Sequence, residues 1–343
     1  MINKIDNIYI INLKKDKDRL KSILKEVKKI TDTDPIRIEG VYGKFLSQKE
    51  LDSNCNYIYS KIGYRSAIGC SMSHIKAWKR MVKNKDKFAL FLEDDAVINN
   101  NFKALFDNID IPDDFYIIYL GCTMGCNIDK NYSLTFPIIK STLGTGITKK
   151  VKKINDNVFI PSLPLALHGY LLSNKGAKYL LKNMKKDKIN GHIDAQILKY
   201  IYNVPTYAID PQLIKQKDIN ISSSNNIKNT YPYLLTSLLS QRDENGIPLN
   251  YKLTIGSYDI FGYTINSITS FFVGIGVILG ILSKKTKIKI TETIINISFL
   301  IFSLLEFLII YKNLNQEKFK SFLLNSVVSY CILIISYRIT ILF

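Results

Sequence analysis

The run Ala89-Leu90-Phe91-Leu92 leads straight into Glu93-Asp94-Asp95. Such apolar, β-forming side chains read as a buried strand, and the strand ends where the acids begin. Adjacent carboxylates repel one another and resist burial. A hard divalent cation would offset that repulsion, and the carboxyl end of a strand in an α/β sheet is where such folds bind ligands. Two readings follow: a metal site that grips a phosphate-bearing substrate, or an exposed acidic turn. Successive strand residues point to opposite faces, so the three acids are not expected to reach one ion together.

Around this point residues 1–240 alternate between strand and helix patterns. Ile8–Leu13 reads as a strand, and Leu20, Ile23, Leu24, Val27 and Ile30 fall on one helical face within residues 14–30. Pro35–Ile38 is a short strand, Ile68–Val82 a helix, Phe115–Leu120 a strand, and Asn174–Met184 a helix that Ser173 caps. The alternation argues for a mostly parallel sheet covered on both faces. Ser222–Asn226 is polar and marks the end of this core, with a linker at residues 241–260 containing Gly246 and Pro248.

Beyond it the composition changes. Residues 261–282 carry no charge, residues 294–311 are interrupted by Glu306, and residues 322–343 by Arg338. Their lengths suit about three membrane spans, with a packed helical hairpin as the alternative. Gly276 and Gly280 form a small-xxx-small spacing that admits a neighbouring helix. Lys284, Lys285, Lys287 and Lys289 crowd one connection, and Lys312, Lys318 and Lys320 the other. The positive-inside rule does not place both in the cytosol if all three segments cross. One segment then lies in the interface. No signal peptide is visible, which favours a cytosolic catalytic domain on a multi-pass anchor, with the orientation open.

The formal net charge of +18 comes mostly from lysines spread along the chain. It points to anionic small molecules or a membrane surface, and the absence of an arginine-rich tract argues against nucleic acid. The five cysteines lack zinc-site spacing, so free thiols are expected, with a Cys122–Cys126 disulfide as the alternative.

An ordered set of motifs runs from residue 8 to 216: Ile10-Ile11-Asn12-Leu13 with Asp18-Arg19, Ile68-Gly69-Cys70-Ser71-Met72-Ser73-His74-Ile75-Lys76-Ala77-Trp78, and Leu92-Glu93-Asp94-Asp95-Ala96. Tyr119-Leu120-Gly121, His168-Gly169-Tyr170, Lys175-Gly176-Ala177, His192-Ile193-Asp194 and Pro211-Gln212-Leu213-Ile214-Lys215-Gln216 follow. Together they resemble glycosyltransferase family 25, which contains bacterial lipooligosaccharide galactosyltransferases and procollagen galactosyltransferases. The resemblance implies an α/β, GT-A-like nucleotide-sugar-binding mixed sheet flanked by helices, a UDP-sugar donor and usually Mn²⁺. The C-terminal apolar region lies outside the family pattern.

The residues suit that chemistry. Carboxylate oxygens favour Mn²⁺ or Mg²⁺, so Asp94 and Asp95 are metal candidates, and His192 reads as a further ligand or as a polar loop residue. Glu93 ligates or orients a ligand. Asn12 and Arg19 suit nucleotide contacts from the first strand–helix connection, with solvation of a helix face as the alternative for Arg19. Ser73, His74 and Lys76 are further donor-site candidates, against a structural role for His74 in its helix. His168 precedes Gly169, where a backbone can approach a ligand closely, and reads as a donor contact, a metal ligand or a polar loop residue. Asp194 is the candidate general base of an inverting transfer, or the N-cap of a helix starting near Ala195. Trp78 belongs in the core or stacks on a base or sugar. The expected activity is transfer of a hexose, galactose or glucose, from a UDP-sugar to a glycan, lipid-linked saccharide or hydroxylated protein. The alternatives are an inactive transferase-fold scaffold at a membrane and a phosphoryl or nucleotidyl transferase.

Overall fold

A computed structural model describes residues 5–122, 125–129, 150–217, 257–260, 263–266, 271–285, 292–311 and 316–342. The chain divides into two compact units, Met1–Asn225 and Asn226–Phe343. The expected polar boundary at Ser222–Asn226 and most of the expected linker lie outside the described residues.

The first unit is built on an eight-stranded sheet of order β2-β1-β3-β8-β5-β9-β7-β6. Its strands are β1 (Asn7–Asn12), β2 (Ile36–Glu39), β3 (Phe88–Glu93), β5 (Ile117–Gly121), β6 (Lys152–Lys153), β7 (Val158–Ile160), β8 (Gly169–Ser173) and β9 (Thr206–Ile209). A separate antiparallel pair joins β4 (Ala96–Ile98) to β10 (Ile214–Gln216). β1 runs parallel to β2 and β3, and β5 parallel to β9, but β8 lies antiparallel between β3 and β5. The mostly parallel sheet expected from alternation is therefore a mixed one. β5 and β8 are joined by residues 122–168, which include β6 and β7, and a strand that returns by such an excursion escapes the crossover constraint that keeps βαβ strands parallel. One consequence positions the site. β1, β3, β5 and β9 all point one way, so their carboxyl ends meet the amino end of β8 along a single edge.

The helices follow from spacing. In α1 (Lys17–Val27) Ile23 and Val27 are buried against the sheet, as the periodicity predicts. α2 (Gln48–Asn54) opens on a capping box between Ser47 and Glu50, and α3 (Tyr57–Ile62) follows it. α4 (Arg65–Asn84) buries Ala67, Ser71, His74, Trp78 and Met81, alternating steps of four and three along one face. That face is partly polar, which already sets it apart from a simple core helix. Gly69 lets α4 cross close to the chain between β2 and α2: an added Cβ would sit 2.5 Å from Val41 O and 2.6 Å from Gly43 N. After α5 (Phe102–Asp107), α6 (Asn174–Asp187) is capped as expected, with Ser173 Oγ accepting from Gly176 N at 3.1 Å. α7 (Ile193–Ile201) starts two residues earlier than expected and places His192, not Asp194, at the N-cap. Cys122 and Cys126 form a disulfide, against the expectation of free thiols, while Cys55, Cys70 and Cys331 are free.

The second unit corrects the first of the three expected spans. The segment 261–282 is not one helix. β11 (Ser257–Ile260) and β12 (Tyr263–Asn266) form a hairpin, and α8 (Phe271–Lys285) is 15 residues long, short of the ~20 residues a bilayer core requires. α9 (Glu292–Tyr311) and α10 (Gln316–Leu342) follow. Gly276 and Gly280 do admit a neighbour: added Cβ atoms would meet Leu333 O at 2.5 Å and Thr340 Cβ at 2.6 Å, so α10 lies parallel on that face. Arg338 pairs with both carboxylate oxygens of Glu292 at 2.7 and 2.9 Å. Among the described residues one helix, Phe322–Leu342, is long and apolar enough to cross a membrane. The expected three-span, multi-pass region is thereby reduced to one candidate.

Gly69→Val should destabilise the first unit by about 1–3 kcal/mol, because backbone has to move to admit the side chain. Gly191→Ala, where an added Cβ meets nothing within 4 Å, should stay within about 0.5 kcal/mol of wild type. Equal melting temperatures for the two variants would contradict this packing.

Candidate functional site

The acidic triplet sits at the carboxyl edge of the sheet. Glu93 closes β3, and Asp94 and Asp95 occupy the turn into β4. The acids part company there. Arg19, from the first turn of α1, bridges Asp94 Oδ1 at 2.8 Å and Asp95 Oδ2 at 2.5 Å. Asn12, the last residue of β1, donates from Nδ2 to Asp94 Oδ2 at 2.7 Å and to Asp16 O at 3.0 Å. Its Oδ1 accepts from Arg37 Nε at 3.1 Å. Gln216 on β10 donates to Asp95 Oδ2 at 3.3 Å, and Lys217 N to Asp95 O at 2.7 Å. Asn12 and Arg19, expected from the sequence as nucleotide contacts, thus converge on the acids. Arg37 and Gln216 were not anticipated; Gln216 closes a motif whose side chains were assigned no role.

Glu93 turns instead towards α4, where His74 Nε2 lies 3.1 Å from its Oε1. His74 Nδ1 is 3.0 Å from Tyr170 Oη, which accepts from Trp78 Nε1 at 2.8 Å. His74, Tyr170 and Trp78 are fully buried, so Trp78 is a core residue. Ser73 is spent on local structure: its Oγ donates to Gly69 O at 2.6 Å and accepts from Val41 N at 2.8 Å. Lys76 donates to Glu39 O at 2.8 Å.

His168 is buried beside the amino end of β8. Its Nε2 lies 3.3 Å from Ile214 O, while its Nδ1 has no partner. Gly169 serves protein packing rather than ligand approach, since an added Cβ would strike the Ile214 side chain at 2.6 Å. Asp194 lies in the first turn of α7; its Oδ2 accepts from Ala166 N at 3.0 Å and its Oδ1 from its neighbour Ala195 N at 2.8 Å. Ala166 has φ 72°, a left-handed conformation that costs a non-glycine residue energy, and this hydrogen bond helps hold it there. Burial pushes the Cys70 thiol and the Tyr119 hydroxyl up, and Asp194 is near enough for its charge to add to both. His192 packs beside Tyr64, with ring centroids 6.5 Å apart. The structure does not gather Asp94, Asp95 and His192 into one ligand group. Among the described residues the one such group is Cys70, His74 and Glu93, with ligand atoms within 4.8 Å of one another.

Burial dominates the electrostatics of the acidic pair. Burial pushes Asp94 up to about 6, against the pull of Arg19 and Asn12. Burial and the Glu93 charge push Asp95 up to about 7, with Arg19 offsetting only part. Burial works to raise Glu93, yet the hydrogen bond to His74 and the electrostatic pull of the neighbouring histidines and Arg19 together hold it below the usual range. Burial lowers His168 and His192. Asp95 Oδ1 is buried with no hydrogen-bond partner. An orphaned, buried carboxylate oxygen beside a second carboxylate, both pushed up by burial, fits a hard divalent metal, which binds the ionised form.

A family model described as glycosyltransferase family 25 (LPS biosynthesis protein) matches residues 5–197. Procollagen galactosyltransferase 2 of Homo sapiens is 32% identical over 129 residues, covering 34% of this chain and 20% of that protein. A Haemophilus influenzae protein named "Putative glycosyltransferase" is 27% identical over 143 residues, covering 41% and 44%. The mouse procollagen galactosyltransferase 2 is 30% identical over 129 residues, again 34% and 20%. The chain therefore spans less than half the length of these curated relatives. The matched region carries Asn12, Arg19, the α4 motif, the acidic triplet, His168 and Asp194, and on it the chain belongs to glycosyltransferase family 25.

Proposed function

We propose that this chain is a metal-dependent hexosyltransferase with a GT-A-like first unit. It takes galactose or glucose from a UDP-sugar and passes it to a glycan, lipid-linked saccharide or hydroxylated protein. The observation that carries the reading is the Asp94–Asp95 pair at the sheet edge, clamped by Arg19 and left with an unpartnered buried oxygen. The family and the names of its relatives supply the reaction class.

Asp94 and Asp95 would hold Mn²⁺ or Mg²⁺. When bound, the cation supplies Lewis-acid stabilisation of the leaving diphosphate. Arg19 fixes both carboxylates in one orientation and brings a permanent positive charge to the same point. Asn12 sets the rotation of Asp94, and Gln216 that of Asp95. Asp194, in the first turn of α7, takes the proton of the acceptor hydroxyl as that oxygen attacks the anomeric carbon, giving inversion. The C-terminal unit supplies membrane attachment through Phe322–Leu342. Exposed apolar side chains such as Leu300, Leu304, Leu308, Leu323 and Ile335 support that role.

The test is release of nucleoside diphosphate by the full chain from a panel of nucleotide sugars, with Mn²⁺ or with EDTA. One UDP-sugar should be turned over only with metal. Asp94→Asn and Asp95→Asn should each lower turnover at least ~100-fold, and Asp194→Asn by about 100- to 10,000-fold without loss of Mn²⁺–UDP binding. Pyrophosphate release would indicate nucleotidyl transfer. No turnover, with no thermal stabilisation by UDP-sugars and Mn²⁺, would indicate a scaffold.

The acids also predict a pH effect. With carboxyls at about 6 and about 7 in the fold, against about 3.9 in an unfolded chain, the folded state holds extra protons between. Their contribution to metal-free stability is present at low pH and lost as pH rises through about 4 to 7. Asp95→Asn should therefore gain on wild type in melting temperature across that window and keep the gain above it. A constant difference from pH 4 to 8 would contradict the assignment.

A further inference from the structure

Trp78, Tyr170, His74 and Glu93 come from three separate sequence motifs yet form one buried hydrogen-bonded chain, and its donors and acceptors can be assigned. Trp78 Nε1 only donates, so at 2.8 Å the Tyr170 oxygen accepts from it. Tyr170 is fully buried, and its own proton needs an acceptor. His74 Nδ1, 3.0 Å away, is that acceptor and must carry a lone pair. The imidazole proton then sits on Nε2, facing Glu93 Oε1 at 3.1 Å. This orientation satisfies every member. The opposite tautomer strands the tyrosine proton and sets a nitrogen lone pair against a carboxylate, and doubly protonated His74 strands the same tyrosine proton. Tyr170 is itself locked in place. Its ring stacks on Phe91 at 5.1 Å, and Phe91 stacks on Tyr9 at 5.1 Å, an aromatic ladder across β8, β3 and β1.

We propose that Trp78 and Tyr170 are positioning residues that hold His74 in its Nε2–H form, so that His74 keeps the Glu93 carboxylate on the α4 side, away from Asp94 and Asp95. The functional value of that separation rests on the reading of the acidic pair as the donor site; the tautomer does not. The same assignment decides what the Cys70, His74 and Glu93 group is. A metal on His74 would need the Nε2 lone pair, and the Trp78–Tyr170 chain places a proton there, so His74 meets Glu93 through a hydrogen bond and the group is not a metal cage.

The test is long-range ¹H–¹⁵N NMR of the full chain labelled at its three histidines, with assignments from His168→Gln and His192→Gln. His74 should show a protonated Nε2 and a hydrogen-bonded, unprotonated Nδ1. Tyr170→Phe should move the Nδ1 signal towards its unbonded position and mix the tautomers. Trp78→Phe should produce a smaller shift the same way. A purely structural role would lower the melting temperature and leave the tautomer alone. A proton on Nδ1 in the wild type, or a His74 spectrum indifferent to Tyr170→Phe, would overturn the proposal. So would Zn²⁺ replacing the Nε2 proton in the wild type but not in Cys70→Ser. If Tyr170→Phe fails to fold, the wild-type tautomer and the Zn²⁺ titration still decide.

Discussion

Three neighbouring carboxylates at the end of a buried strand are the constraint around which the first unit is arranged. Two unit charges about 4 Å apart repel by roughly 4 kcal/mol at the effective dielectric of a protein surface, a large share of a typical domain's stability of about 5–15 kcal/mol. The fold answers by sending the charges apart. Glu93 goes to His74 on α4, while Asp94 and Asp95 go to Arg19 on α1. Asn12 from β1 and Gln216 from β10 take up further oxygens. What remains unanswered, the bare Asp95 Oδ1 in a carboxylate pair that burial pushes up, is the deficit that a divalent cation would fill.

The antiparallel β8 makes this convergence possible. It brings His168 and Tyr170 to the edge where β1 and β3 deliver Asn12 and Glu93. Gly121 and Gly169 let β10 pass over that edge, since a Cβ on Gly121 would strike Ile214 O at 1.7 Å. The strand β10 then carries Gln216 to Asp95. A chain segment more than a hundred residues downstream thereby completes the acidic pair.

Much of this was legible in the residues. The period of α1, the Ser173 cap and the strand ending at Glu93 all follow from local pattern, because each depends on neighbours in sequence. What was not legible depends on partners distant in sequence. The direction of β8 was one such feature, and the division of the acids between two helices another. The burial of a polar stripe on α4 was a third, because a histidine at a helical period looks alike whether it meets solvent, ligand or Tyr170. The first expected span failed for a different reason. Hydropathy sees the uncharged run 261–282 but not the hairpin that takes its first residues. Gly276 and Gly280, by contrast, were readable, since close helix approach needs small residues at that spacing.

The central claim is that Asp94 and Asp95 hold a divalent cation together with a nucleoside diphosphate. The most direct measurement is the depletion of the free Mn²⁺ EPR signal by the full chain, with and without UDP, in wild type and Asp95→Asn. The account predicts one bound Mn²⁺ per chain, tightened by UDP, with affinity in Asp95→Asn at least tenfold weaker, about 1.4 kcal/mol. Equal depletion by the two proteins, indifferent to UDP, would contradict it.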